Sequence, residues 1–166
     1  MHKTIEPSIL YLGTPVVLIR TLNENGTYNL APMSSVFWLG WRCILGLAAH
    51  SKTPQNMLHT RECVINLPSV NEVAAVNRLA LTTGSDPVPE FKRRKGCRHE
   101  YDKFGLAQLT PMASETVAPP RVRECPVQLE AVVEATHSLL KEMACNAGLL
   151  YVLKCALNEC MWKNPC

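Results

Sequence analysis

Short β-type runs punctuated by turn residues, with only two helical interruptions, are the feature that most constrains how this chain can fold. Pro15 to Leu22 is rich in Val, Leu and Ile, Asn23-Glu24-Asn25-Gly26 supplies an Asn-Gly turn, and Thr27 to Ala31 resumes an extended run. That pattern reads as a β-hairpin. Val36 to Trp41 and Arg42 to Ala49 are further strand candidates, the second nearly all apolar, as expected of a strand buried on both faces. Cys63 to Leu67, Val127 to Thr136 and Gly148 to Leu157 complete the extended set.

The helical interruptions carry start signals. In Ser51-Lys52-Thr53-Pro54 a hydroxyl is placed to cap a helix from about Pro54 to Thr60, with Pro54 in the first helical position, where a missing N–H costs nothing. Ser69-Val70-Asn71-Glu72 has capping-box spacing ahead of an alanine-rich run ending near Leu81. From Thr82 to about Pro120, Pro, Gly and charge dominate without a sustained period. This reads as a long surface excursion, of the kind that is often functional or partner-facing. Strands in series with so few helices favour a mainly β fold, a closed antiparallel barrel with helical excursions, over a doubly wound parallel sheet.

Bulk properties bound the function. A chain of 166 residues is the size of one domain. With 47% hydrophobic and 19% charged residues, a disordered or fibrous chain is excluded. A net charge of +3 implies no nucleic-acid partner. Lys92-Arg93-Arg94-Lys95 with Arg98 reads as a solvated loop, or else as a patch that attracts phosphates. Apolar runs fall far short of the roughly 20 residues of a membrane span. The opening Met1-His2-Lys3-Thr4-Ile5-Glu6 is no signal peptide, so a cytoplasmic location is expected. Eight cysteines without a CxxC pair read as buried free thiols, and no metal site is expected.

The signatures GxGxxG, GxxxxGK[ST], GxSxG and HExxH are absent, and no triad order is recognisable, so catalytic power is expected to come from a bound cofactor. Ala49-His50-Ser51-Lys52-Thr53-Pro54-Gln55-Asn56 leaves a buried strand and enters a helix. By pattern it is an ordinary capped helix or a phosphate cradle, because helix N-termini present unpaired N–H donors and partial positive charge. In Asn29-Leu30-Ala31-Pro32-Met33-Ser34-Ser35, Pro32 is placed to stop a strand and leave small residues facing something else.

Taken together, these blocks resemble the flavin-reductase-like, FMN-binding split-barrel family. The resemblance begins at Tyr11-Leu12-Gly13-Thr14-Pro15 and runs through both segments above and Val64-Ile65-Asn66-Leu67-Pro68. It continues in Asp102-Lys103-Phe104-Gly105-Leu106, Leu109-Thr110-Pro111, Pro119-Pro120-Arg121-Val122 and Glu124-Cys125-Pro126-Val127-Gln128-Leu129-Glu130, so that roughly residues 10 to 137 are covered. It implies a Greek-key-like split barrel, a homodimer, and FMN as cofactor with NADH or NADPH as co-substrate. It also implies hydride transfer through the flavin to an oxygenase or another acceptor. By that analogy Asn29, Pro32, Met33, Ser34 and Ser35 line the ring, Ser51, Lys52, Thr53 and Asn56 hold the phosphate with Ala49 and His50 beside them, and Lys103 and Phe104 approach from the excursion.

The chain departs from the family in two places. It lacks the late Gly-Asp-His element, leaving His137 as the nearest candidate beside a nicotinamide, and the single domain over 1–166 ends in an atypical, shortened, Cys-rich stretch, 143–166. These departures keep two alternatives open: a flavin carrier or sensor without turnover, and a flavin-free descendant using the barrel for another small molecule.

Overall fold

The turn at Gly26 sets the architecture in motion. In the computed structural model, which describes residues 13–139 and 148–160, Gly26 has φ +78°, Asn23 N–H donates to Thr27 O (2.7 Å) and Gly26 N–H donates to Asn23 O (3.0 Å). This turn pairs β1 (Val17–Leu22) with β2 (Tyr28–Met33), Val17 opposite Met33. Pro32, expected to stop the strand, lies inside β2 opposite Leu18. The reason is positional: β2 is an edge strand, where a missing N–H is tolerated.

The rest of the chain runs β3 (Val36–Leu39), β4 (Arg42–Ala48), α1 (Lys52–Thr60), β5 (Glu62–Leu67), a 3-10 turn (Val70–Glu72), α2 (Val73–Ala80), β6 (Thr82–Thr83) and α3 (Glu90–Arg93). It continues through β7 (Arg98–His99), α4 (Lys103–Ala107), β8 (Pro111–Met112), β9 (Arg121–Val122), β10 (Val127–Leu139) and β11 (Gly148–Cys160). Seven strands form one antiparallel sheet in the order β2-β1-β5-β10-β11-β4-β3. Its two edges are consecutive in the chain, joined only by Ser34-Ser35, so the sheet curls until its edges come close, as in a split barrel.

Strand β4 corrects an expectation. Cys43, Leu45 and Leu47 are buried while Arg42 and Ala48 are exposed, so only one face is inside; the unbroken apolar run disguised an alternating strand. The interior is filled by Val17, Ile19, Leu45, Ile65, Tyr151 and Leu153. Helix α1 closes it, placing Met57 in the core, while Tyr151 Oη donates to Pro54 O (3.0 Å). The capping box is present: Glu72 Oε2 accepts from the Ser69 N–H and hydroxyl, both at 2.7 Å.

The excursion is not only surface. On the outer face of the barrel Leu18 and Leu30 pack with Ala75 and Leu79 of α2, Phe104 and Ala107 of α4, and Val122 of β9 in a second apolar cluster. The excursion's buried apolar residues have no period because they are few and scattered, Phe104 and Ala107 on the five-residue α4 and Leu109 and Val117 in loops. Cys43, Cys63, Cys125 and Cys155 are buried free thiols, and burial raises Cys125 to about 12. Cys145 and Cys166 lie outside the described residues, among which no group of three His, Cys, Asp or Glu side chains forms a metal site. No helix among them is long and apolar enough to cross a membrane.

Glu130 fastens this second layer to the barrel. Its side chain is fully buried on β10 and accepts from Glu115 N–H (2.9 Å), Thr116 N–H (2.6 Å) and the Thr116 hydroxyl (2.5 Å), with Arg121 Nε 3.6 Å away. Burial alone would raise its pKa, but the Thr116 and backbone donors together with Arg121 hold it below the usual carboxylate value. A depressed carboxylate adds stability that is present above its unfolded pKa and is lost as pH falls through the folded one. Glu130→Gln should therefore cost about 2–3 kcal/mol in urea unfolding at neutral pH, and the variant should lose less further stability than wild type on acidification below about pH 4.5.

Candidate functional site

Asn29 stands where three segments meet. It is 2% exposed on edge strand β2; its Nδ2 donates to Thr53 Oγ1 of α1 (3.0 Å), and its Oδ1 accepts from Lys103 Nζ of α4 (2.9 Å). The chain passes close by at Gly84, where a Cβ would collide with Asn29 Oδ1 and lie 3.3 Å from Lys52 Cγ. Only glycine fits there.

Beside this junction is a cavity of about 230 Å³. Asn29, Pro32 and Met33 form its strand wall, and Ser51, Lys52 and Thr53 its helix wall. Thr83, Gly84, Lys92, Lys95 and Lys103 close it from the excursion. The lining contains four lysines and no carboxylate. Burial, with Lys92 adding repulsion, pulls Lys103 down to about 7, and burial also lowers Lys92, whose Nζ donates to Thr83 Oγ1 (3.0 Å). Glu100 offsets this for Lys103 only in part, and ammonium groups crowded into one lining favour an anion between them.

The start of α1 adds to this field. The helix begins at Lys52, so Pro54 is its third residue rather than its first, still within the turn whose N–H groups lack helical partners. Ser51 is the N-cap but its hydroxyl makes no capping bond, which leaves the Lys52 and Thr53 amides for a ligand.

Other expected residues lie elsewhere. Asn56 is buried, and its Nδ2 donates to Thr21 Oγ1 (3.0 Å) and Asn23 Oδ1 (2.7 Å), bracing α1 against the hairpin turn. Ser34 and Ser35 are the link between the sheet edges, Ser35 O accepting from Gly46 N–H (2.9 Å). Ala49 and His50 form the turn before α1 and do not line the cavity. Phe104 packs on the Arg20 guanidinium instead, 3.9 Å from charge centre to ring centroid. His137 is exposed on β10 opposite Leu150, away from the cavity.

Thr83 and Gly84 carry no signal in the sequence, and Lys92 and Lys95 belong to the basic cluster read as a solvated loop or else as a patch that attracts phosphates. The signal was spacing: in Lys92-Arg93-Arg94-Lys95 the lysines are one turn apart and face the cavity, while Arg93 and Arg94 pair outward with Glu90.

A family model for the flavin reductase like domain matches residues 10–149. The chain belongs to that family. It is 42% identical over 140 residues to the uncharacterized protein YdfE of Bacillus subtilis (strain 168), covering 84% of this chain and 67% of that protein. Nitrilotriacetate monooxygenase component B from Bacillus cereus has a similar structure, with TM-score 0.73 and 19% identity, covering 97% of this chain and 83% of that one. A split-barrel protein from Shewanella frigidimarina NCIMB 400 matches with TM-score 0.65 and 19% identity, over 86% of this chain and 65% of that one. These structural likenesses identify the fold as a split barrel.

The junction can be tested at its tightest point. Gly84→Ala should push the Asn29 amide off Lys103 and lower stability by about 1–3 kcal/mol, the usual cost of a disrupted buried polar group. Thermal unfolding beside a conservative control, Gly46→Ala, where a Cβ would meet only the Ser35 Cβ at 3.4 Å, separates this effect from a general cost of alanine.

Proposed function

We propose that this flavin-reductase-like protein is an FMN-dependent oxidoreductase that takes hydride from NADH or NADPH and passes reducing equivalents to an oxygenase component or another acceptor. The observation that carries the reading is the cavity with four lysines and no carboxylate at an uncapped helix start. Its chemistry fits a phosphate monoester, which selects FMN over riboflavin. Lys52, Lys92, Lys95 and Lys103 neutralise the phosphate, Thr53 and the first amides of α1 donate to it, and Asn29 holds Lys103 and Thr53 in place. Pro32 and Met33 offer an apolar wall to a flat ring. Bound there, FMN supplies the redox chemistry, and the protein supplies orientation and charge.

The other parts of the proposal have their own support. The name of the Bacillus cereus protein, component B of a monooxygenase, supports an oxygenase partner. Exposed Phe37, Leu39 and Trp41 on the β3–β4 hairpin support a homodimer, since a second copy would cover them. That His137 lies outside the cavity favours one alternative, a flavin carrier without turnover of its own.

Lys52→Ala with Thr53→Ala should weaken FMN binding by roughly 10- to 100-fold, the worth of one or two charge-assisted hydrogen bonds, as read by quenching of flavin fluorescence. Unchanged affinity would refute the phosphate assignment. The bound phosphate favours charged Lys103, which loses its proton near pH 7 in the free protein. The phosphate monoester is already dianionic above about pH 6. FMN affinity should therefore fall as pH rises above about 7, and Lys103→Met should flatten that slope. Steady consumption of NADH or NADPH by the FMN-loaded protein separates the oxidoreductase from the carrier.

A further inference from the structure

Arg20 is a buried cation outside the lysine cavity, held by ring contacts rather than by an ion pair. It is 6% exposed and leaves β1 on the same face as Leu18, stacked between the rings of Phe104 (3.9 Å) and Tyr28 (4.7 Å). Among the described residues none forms an ion pair with it, and its Nε is buried without a hydrogen-bond partner. Asp102, the carboxylate that faces it, is exposed and uses Oδ1 to accept from Gly105 N–H (2.9 Å). Burial draws Arg20 down to about 10, and Tyr28 and Asp102 offset this only in part.

A guanidinium carries five N–H donors in one plane. Rings stacked on its faces satisfy none of them; they fix the plane and leave its edge presented. The guanidinium lines a cavity of about 270 Å³ whose other walls are Thr27, Tyr28, Tyr101, Asp102, Lys103 and Phe104, and which shares only Lys103 with the lysine cavity. An unpaired buried charge is a standing cost to stability, which an apolar residue of similar size would remove. Retained, pre-oriented and aimed at open space, it has the form of a binding group.

We propose that Arg20 anchors a second anion site, which receives the oxyanion of a small organic acid or of a phosphate ester on one guanidinium edge. Lys103 lines both cavities, but its Nζ donates to Asn29 Oδ1 (2.9 Å) in the lysine cavity, so Arg20 carries the charge of this site. Tyr28 and Tyr101 border the oxyanion with ring surface, which suits an acid carrying an apolar or aromatic body. The assignment is independent of what the lysine cavity holds.

The test uses the Lys52→Ala/Lys92→Ala variant, in which the first cavity is disabled, titrated calorimetrically with inorganic phosphate and separately with benzoate. At least one probe should bind, and adding Arg20→Leu should weaken it at least tenfold without lowering the melting temperature. Binding of phosphate alone assigns a phosphate ester, binding of benzoate alone a carboxylate, and binding of both the shared oxyanion chemistry. The proposal is overturned if neither probe binds, if Arg20→Leu leaves binding unchanged, or if Arg20→Leu lowers the melting temperature with binding retained, which makes the arginine a packing group. Should Arg20→Leu fail to fold, Arg20→Lys decides. It keeps the charge but loses the planar fork, so weaker binding is expected and unchanged affinity refutes the site.

Discussion

The amide of Asn29 is the contact on which the candidate site depends. One side chain donates to the first turn of α1 and accepts from the first residue of α4, so an edge strand, a helix start and the excursion are held in one geometry. An amide suits this position because it offers a donor and an acceptor at a fixed separation with no charge of its own. A carboxylate would pair with Lys103 and cancel the field in the cavity, and an apolar side chain would leave a buried ammonium without a partner.

Local rules made much of the fold legible. The Asn-Gly turn, the capping box at Ser69 and the alternating runs act within a few residues of themselves, so each could be read from the chain alone. Pro32 could not, because whether proline ends a strand depends on whether that strand is at an edge, and edge position is a property of the sheet. Strand β4 was misread for a related reason: an apolar residue facing solvent looks the same in sequence as one facing the core. The region from Thr82 to Pro120 shows no period because its elements are two to five residues long and its buried apolar residues are few and scattered.

The site was legible in outline. Asn29, Pro32, Met33, Ser51, Lys52, Thr53 and Lys103 converge on one cavity, although 74 residues separate the first and last. Lys92 and Lys95 were visible only as charge, and charge alone does not say which way a side chain points. Arg20 was invisible for a deeper reason. A single arginine in a strand gives no sign that two rings will enclose it, one from its own hairpin and one from 84 positions further on.

The packed interior of the barrel has a consequence for how such a protein can change over time. Among the described residues, Met57 and Tyr151 fill the space between the strands with fully buried side chains. Novelty is confined to the rim, where the segment between α2 and β10 supplies much of both cavities. Strands β1 and β2 and the start of α1 supply the opposite walls, so a change in the excursion alters one side of each cavity and leaves the other in place. A lineage built this way can trade partners and substrates while the same seven strands persist.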